Sequence, residues 1–120
     1  MQTNRFVVMS PNAYNQLGVG TTQLYNKRVV YNQERNGTFV LGNRMFIFKR
    51  RSNIPRQLTA EFLLVDLVNE LDQLAEDQDA VLPRVRERAK AMDTKKLSRA
   101  ISRYGKYSTQ RWFKTISQHS

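Results

Sequence analysis

The hydrophobic pattern of the chain changes its period near Leu58, and this change limits the folds that the sequence can adopt. Before it, short apolar runs typical of strands cover residues 5–9 and 27–33, and residues 37–51 form a predicted hairpin with a Gly-Asn turn. After it, apolar residues recur at helical spacing. Strands followed by helices predict an α+β fold.

Four helices are expected in the second half of the chain. The first begins near Leu58, the second covers 80–92, the third begins near Asp93 and ends at Gly105, and the fourth covers 108–117. On the first helix the pattern predicts a buried apolar stripe of Leu64, Leu67, Val68, Leu71 and Leu74. It predicts an exposed polar face of Asp66, Asn69, Glu70 and Gln73.

The length of 120 residues predicts a single domain with one modest core. We expect residues 1–56 to form a small antiparallel β-rich part, which is basic, and residues 57–120 to form a cluster of about four helices on which it packs.

Charge is distributed in three blocks. The formal net charge is +10, made up of +8 in residues 1–56, −7 in residues 57–79 and +9 in residues 80–120. A basic excess of this size favours an anionic partner, and nucleic acid is the first such partner to consider.

Several kinds of site are excluded or disfavoured by composition. The chain has no cysteine, so disulfides and thiolate metal sites are excluded. Its one histidine, His119, excludes a His-rich metal site and disfavours a Ser-His-Asp triad. We expect no metal and no cofactor. The first ten residues do not resemble a signal peptide, and no apolar run is long enough to cross a membrane, so a cytoplasmic location is expected.

A glycine-containing stretch, LGVGTTQLY at 17–25, resembles a phosphate-binding loop. A P-loop requires a lysine after its last glycine, and none stands there. A dinucleotide-binding loop requires a third glycine, where this chain has Gln23, and a helix that follows the loop. We interpret Gly18 as the end of a short helical turn and expect no nucleotide site.

A longer stretch, SPNAYNQLGVGTTQLYNKRVVY, together with the strand RMFIFKRR, resembles AbiEi-like antitoxins and transcriptional regulators of type IV toxin–antitoxin pairs. The matching positions are Pro11, Ala13, Asn15, Leu17, Gly18, Thr21, Thr22, Gln23, Val30, Tyr31, Phe48 and Lys49. The resemblance covers about residues 8–51. It implies the central and C-terminal part of such a protein, without the N-terminal winged helix that binds operator DNA, and a nucleotidyltransferase-like toxin as partner.

Basic residues are the candidate binding site. We expect contacts with nucleic acid, DNA rather than RNA, from Lys49, Arg50, Arg51, Arg84, Arg88, Lys95, Lys96, Arg99, Arg103, Lys106, Arg111 and Lys114. For the first three, the alternatives are a charged sheet edge that prevents aggregation or an internal partner for the acidic helix. For the others, the alternative is a solvated helical face.

Aromatic residues lie among the last of these bases. Tyr104, Tyr107, Trp112 and Phe113 could stack on nucleobases, but Trp112 and Phe113 are more simply interpreted as closing the helical core. The acidic run at 61–79 raises the possibility of a metal-dependent nuclease, although it lacks the carboxylate and lysine spacing of such enzymes on a strand.

Three functions follow from these observations. The first is a non-enzymatic, antitoxin-like transcriptional regulator, or a fragment of one, that acts on nucleic acid or a toxin through its basic surfaces. The second is a sequence-independent nucleic-acid-binding protein of phage or plasmid origin. The third is the nuclease. Catalytic residues are not predicted, and the sequence leaves the oligomeric state open.

Overall fold

Four strands are followed by four helices in a computed structural model that describes residues 6–9, 13–19, 27–51, 53–74 and 76–118. The strands are β1 (Phe6–Met9), β2 (Lys27–Asn32), β3 (Gly37–Leu41) and β4 (Arg44–Arg50). The helices are α1 (Ala60–Glu70), α2 (Gln78–Lys90), α3 (Thr94–Tyr104) and α4 (Tyr107–Gln118). The predicted α+β class is confirmed.

The chain divides into two compact units. The sheet unit comprises Met1–Ala13 and Leu24–Leu58, and the helical unit comprises Tyr14–Gln23 and Thr59–Ser120. The change from one unit to the other after Leu58 lies close to the predicted boundary at residue 56. The sequence did not indicate that the segment from Tyr14 belongs with the helices.

The sheet is mixed, which corrects the antiparallel sheet expected from the sequence. Its strand order is β1-β2-β4-β3. The β1–β2 and β3–β4 pairs are antiparallel, whereas β2 and β4 are parallel, with Val30 opposite Phe48. The hairpin folds β4 back between β2 and β3, so β3 becomes an edge strand.

Two asparagines hold the short connection between β2 and β3 through side-chain hydrogen bonds. The Oδ1 atom of Asn32 accepts hydrogen bonds from the backbone N–H groups of Glu34 and Arg35, at 2.9 and 2.8 Å. The Oδ1 atom of Asn36 accepts a bond of 2.9 Å from the N–H of Arg50, at the end of β4. Side chains thereby satisfy backbone groups that lie beyond the sheet ladder.

The predicted turns and helix starts are confirmed where the structure describes them. A 3₁₀ turn at Tyr14–Leu17 ends at Gly18, which has a φ of +70°. Gly42, with a φ of +62°, begins the two-residue hairpin turn. Asp93 caps α3 by accepting a bond of 3.0 Å from the N–H of Lys96. Residues 20–25 of the glycine-containing stretch and His119 lie outside the described residues.

Helix α1 is the centre of the helical unit and contacts the other three helices and the Tyr14–Leu17 turn. Leu64, Val65 and Leu67 are fully buried. The predicted exposed face of this helix is wrong, because Asp66, Asn69 and Glu70 are also buried. Elements pack around α1 on several sides, and its polar side chains are covered as well. Among the described residues, no helix has the length and apolar character needed to span a membrane.

Candidate nucleic-acid interface

Helix α3 presents four basic side chains on one side. Lys95, Lys96, Arg99 and Arg103 are all exposed, and at 3.6 residues per turn they share an arc of about 100°. Leu97 and Ala100 are buried on the opposite side. The helix contains no acidic residue. We call the four bases the α3 basic face, and the predicted gathering of bases on one face is confirmed for this helix.

The predicted row of Arg84 and Arg88 lies on α2, and its two side chains differ in exposure. Arg84 is exposed, but Arg88 is half-buried beside the stripe of Val81 and Val85. Lys90, which was not predicted as a site residue, forms an ion pair with Glu87, at 3.5 Å between Nζ and Oε1. Within this row, therefore, Arg84 is open to solvent and Arg88 is partly covered.

A groove of about 610 Å³ lies among α2, α3 and α4. Its apolar lining includes Leu97, Ile101 and Phe113, and its polar lining includes Ser98, Ser102 and Lys114. The serines lie on one flank of α3, next to the arc of bases. Of the basic residues predicted to bind nucleic acid, Lys114 borders this groove.

On α4, the aromatic residues are mostly structural. Phe113 is buried and meets the half-buried Trp112 edge to face, with ring centroids 5.0 Å apart. Tyr104, at the end of α3, meets Phe62 of α1 in the same way at 5.0 Å. Both contacts support the interpretation that these rings close the helical core. Tyr107 is the exception, since it is 76% exposed.

The corner between α3 and α4 is held by Asn69 of α1. Its Nδ2 atom donates to the carbonyl oxygen of Tyr104 at 2.8 Å, and its Oδ1 atom accepts from the N–H of Lys106 at 2.9 Å. The exposed side chain of Lys106 is therefore placed at the corner. On α4, the Arg111 guanidinium lies 5.6 Å from the Tyr107 ring centroid.

The predicted basic patch at Lys49, Arg50 and Arg51 does not form a single surface. Lys49 pairs with Tyr31 across the sheet, so its side chain lies on one face, and Arg50 lies on the other. Arg51 places its guanidinium 5.1 Å from the Tyr31 ring centroid. The alternation of side chains along a strand therefore separates Arg50 from Lys49 and Arg51, which both lie beside Tyr31.

Two carboxylates of the acidic run have structural roles. Asp66 is buried and accepts a hydrogen bond from Tyr14, and Asp77 caps α2 by accepting from the N–H of Asp79 at 3.1 Å. In the part of the chain that is described, no group of three or more His, Cys, Asp or Glu side chains is arranged to hold a metal ion. Nothing there supports the nuclease hypothesis.

One feature of the sheet unit was missed in the sequence. Aromatic and aliphatic side chains line a space of about 520 Å³ on one face of the sheet. This aromatic sheet face consists of Phe6, Val8, Val30, Phe39, Leu41, Phe46 and Phe48. The period-2 alternation of the β3 and β4 sequences could have revealed it, because Phe39 and Leu41, like Phe46 and Phe48, are two residues apart.

Comparisons with protein-family models, with curated proteins and with solved structures find no match for this chain. The resemblance to AbiEi-like antitoxins therefore stays a prediction.

Proposed function

We propose that this chain is a non-enzymatic nucleic-acid-binding protein that contacts the phosphate backbone through the α3 basic face. The observation that carries the proposal is the exposure of Lys95, Lys96, Arg99 and Arg103 on one arc of a helix without acidic residues. Lys and Arg that neutralise phosphates release condensed counterions, which is the main source of sequence-independent affinity.

The dimensions of α3 suit a duplex. Its bases extend from Lys95 to Arg103, which is about 12 Å along the helix axis at 1.5 Å per residue. An α-helix with its side chains is about 10–12 Å in diameter, and the major groove of B-DNA, about 12 Å wide, admits it. The opposite side of α3 is held against the core by Leu97 and Ala100. A rigid support of this kind reduces the ordering cost of binding.

The resemblance implies a more specific role, in which the protein regulates transcription as the antitoxin partner of a nucleotidyltransferase-like toxin, in the cytoplasm. Specificity for DNA sequence separates this role from that of a general nucleic-acid binder. A regulator must prefer its operator, whereas phosphate contacts alone carry no sequence information.

The test is a fluorescence-anisotropy titration of two labelled duplexes at about 100 mM salt. One duplex has the sequence upstream of the protein's own gene, and the other has the same bases in scrambled order. The test variant is Lys95→Gln/Arg99→Gln. The matched control is Arg56→Gln/Lys90→Gln, which removes the same charge from exposed residues outside the α3 basic face.

The test variant is expected to bind both duplexes about 10- to 100-fold more weakly than the wild type. Each lost phosphate contact lowers the binding constant nearly tenfold at this salt concentration. The control is expected to change affinity by less than about threefold. Equal losses in the two variants would show that only net charge matters and would contradict the proposal. A preference for the upstream duplex would support the regulator, and equal binding to both would support the general binder.

A further inference from the structure

Phenylalanine rings on the aromatic sheet face are exposed to solvent. Phe6 is 65% exposed and Phe39 is 45% exposed. Phe39 meets Phe48 edge to face, with centroids 5.1 Å apart and planes at 85°. The register places Phe39 opposite Phe46, so rings from β1, β3 and β4 lie on one surface. Stacking partners are therefore available across most of the width of the sheet.

A guanidinium already lies over part of this surface. The Cζ atom of Arg35 is 5.4 Å from the Phe39 ring centroid and 5.3 Å from that of Phe48. Asn32 holds the backbone of Arg35 in place through the bond from the Arg35 N–H to its Oδ1 atom. A cation that is positioned over two rings can contact a phosphate while the rings contact a base.

The charge on the same face is positive. By the strand register, Arg28 lies beside Phe46, Arg44 opposite Leu41, and Arg50 opposite Asn32. The four strands contain no acidic residue. Glu34, in the β2–β3 connection, is the acidic residue that lines the space. Exposed rings bordered by arginines complement an unpaired base and its phosphate.

We propose that the aromatic sheet face binds single-stranded DNA, with two or three unpaired bases stacked on its phenylalanine rings and the neighbouring phosphates at Arg35, Arg44 and Arg50. This inference rests on the proposed function in that the partner is a nucleic acid, but it concerns a different surface. Duplex DNA does not fit, since paired bases are already stacked on one another and offer no free face.

The chemistry favours DNA over RNA. Recognition of RNA uses hydrogen bonds to the ribose 2′-hydroxyl. The side-chain amide of Asn32 lies at this face, but it is engaged with Glu34 and Arg35 through Oδ1 and with the Arg35 carbonyl through Nδ2, at 2.9 Å. Most of the remaining lining is apolar, so deoxyribose is the better match.

The experiment measures binding of a labelled 12-nucleotide oligothymidine by anisotropy, beside oligouridine of the same length and a 12-base-pair duplex. The test variants are Phe39→Ala and Phe6→Ala. Val40→Ala is the matched control, because it lies on the same strand as Phe39, faces the other way and is 63% exposed. Phe39→Tyr retains the ring and is expected to retain affinity, which separates stacking from misfolding.

Each test variant is expected to bind oligothymidine about 5- to 100-fold more weakly, as found when one stacked ring is lost, and to bind the duplex as the wild type does. Wild-type affinity in both variants would overturn the inference. The proposed function would survive that result if Lys95→Gln/Arg99→Gln still weakened duplex binding. Tighter binding of oligouridine would overturn the choice of DNA.

Sedimentation equilibrium tests whether a second copy of this chain, instead of single-stranded DNA, covers the aromatic sheet face. A wild-type dimer that becomes monomeric in Phe39→Ala would show that the aromatic sheet face is a self-association surface, and it would overturn the inference. A monomer in both proteins, with the loss of oligothymidine binding in the variant, is the expected result.

Discussion

The phenol oxygen of Tyr14 donates a hydrogen bond of 2.6 Å to the Oδ2 atom of Asp66, and the carboxylate-bearing residue is only 1% exposed. The two residues are 52 positions apart in sequence. The bond ties the Tyr14–Leu17 turn to the middle of α1, and it explains why a short segment that follows β1 belongs to the helical unit. A buried polar group of this kind requires a partner, because it has been removed from water.

Tyr14→Phe is expected to lower the free energy of unfolding by about 1–3 kcal/mol, since it leaves the Asp66 carboxyl with one fewer hydrogen bond while preserving the ring. Urea-induced unfolding followed by circular dichroism measures the change. Tyr107→Phe removes a hydroxyl from an exposed ring and is expected to stay within about 0.5 kcal/mol of the wild type. Equal stabilities for the two variants would show that the bond contributes nothing.

Asn69→Ala is expected to lower the free energy of unfolding by at least about 2 kcal/mol. The reason is that the Tyr104 carbonyl and the Lys106 N–H lose their shared partner at the corner between α3 and α4. Urea-induced unfolding of this variant is compared with that of Gln57→Ala, which truncates an exposed amide. A small effect would mean that water replaces the amide at this corner.

Gly105→Ala is expected to destabilise the protein by about 1–3 kcal/mol, the usual cost of overpacking. An added Cβ would lie 2.6 Å from the carbonyl oxygen of Ile101, which is a backbone atom and cannot move alone. Ser102→Ala adds no such contact on the exposed side of α3 and is the control. Thermal unfolding of the two variants measures the difference, and the same midpoint for both would be inconsistent with this close approach.

Asp93→Ala is expected to lower the free energy of unfolding by about 0.5–2 kcal/mol, because the first turn of α3 loses the bond from the Lys96 N–H. Asp93→Asn keeps an acceptor at the same position and should recover most of this loss. Urea-induced unfolding of both variants checks the order. An Asn variant as unstable as the Ala variant would argue against a capping role.

Salt dependence provides a prediction about function. For duplex DNA, the slope of log K against log salt is expected to be less steep by about 2 in Lys95→Gln/Arg99→Gln, since each phosphate contact contributes about 0.9. Anisotropy titrations at four salt concentrations between about 50 and 200 mM measure it. The Arg56→Gln/Lys90→Gln control should keep the wild-type slope. An unchanged slope in the test variant would remove α3 from the interface.

Much of the local structure could be predicted because it depends on neighbours in the sequence. The cap at Asp93, the end of α3 at Gly105 and the turn that begins at Gly42 all involve residues within about four positions of one another. The α3 basic face was also predictable, since the helical period alone determines which of its residues share a side. The same reasoning with a period of two would have separated Lys49 from Arg50 and revealed the aromatic sheet face.

The burial of Asp66 and Asn69 depends on distant partners and could not be predicted locally. Both residues have the polar character and the spacing of an exposed helical face, yet Tyr14 and the α3–α4 corner cover them. The parallel pairing of β2 with β4 also depends on distant residues, because β4 must lie between β2 and β3, which both precede it in the chain. Periodicity records which residues share a side of an element, whereas packing decides what lies against that side.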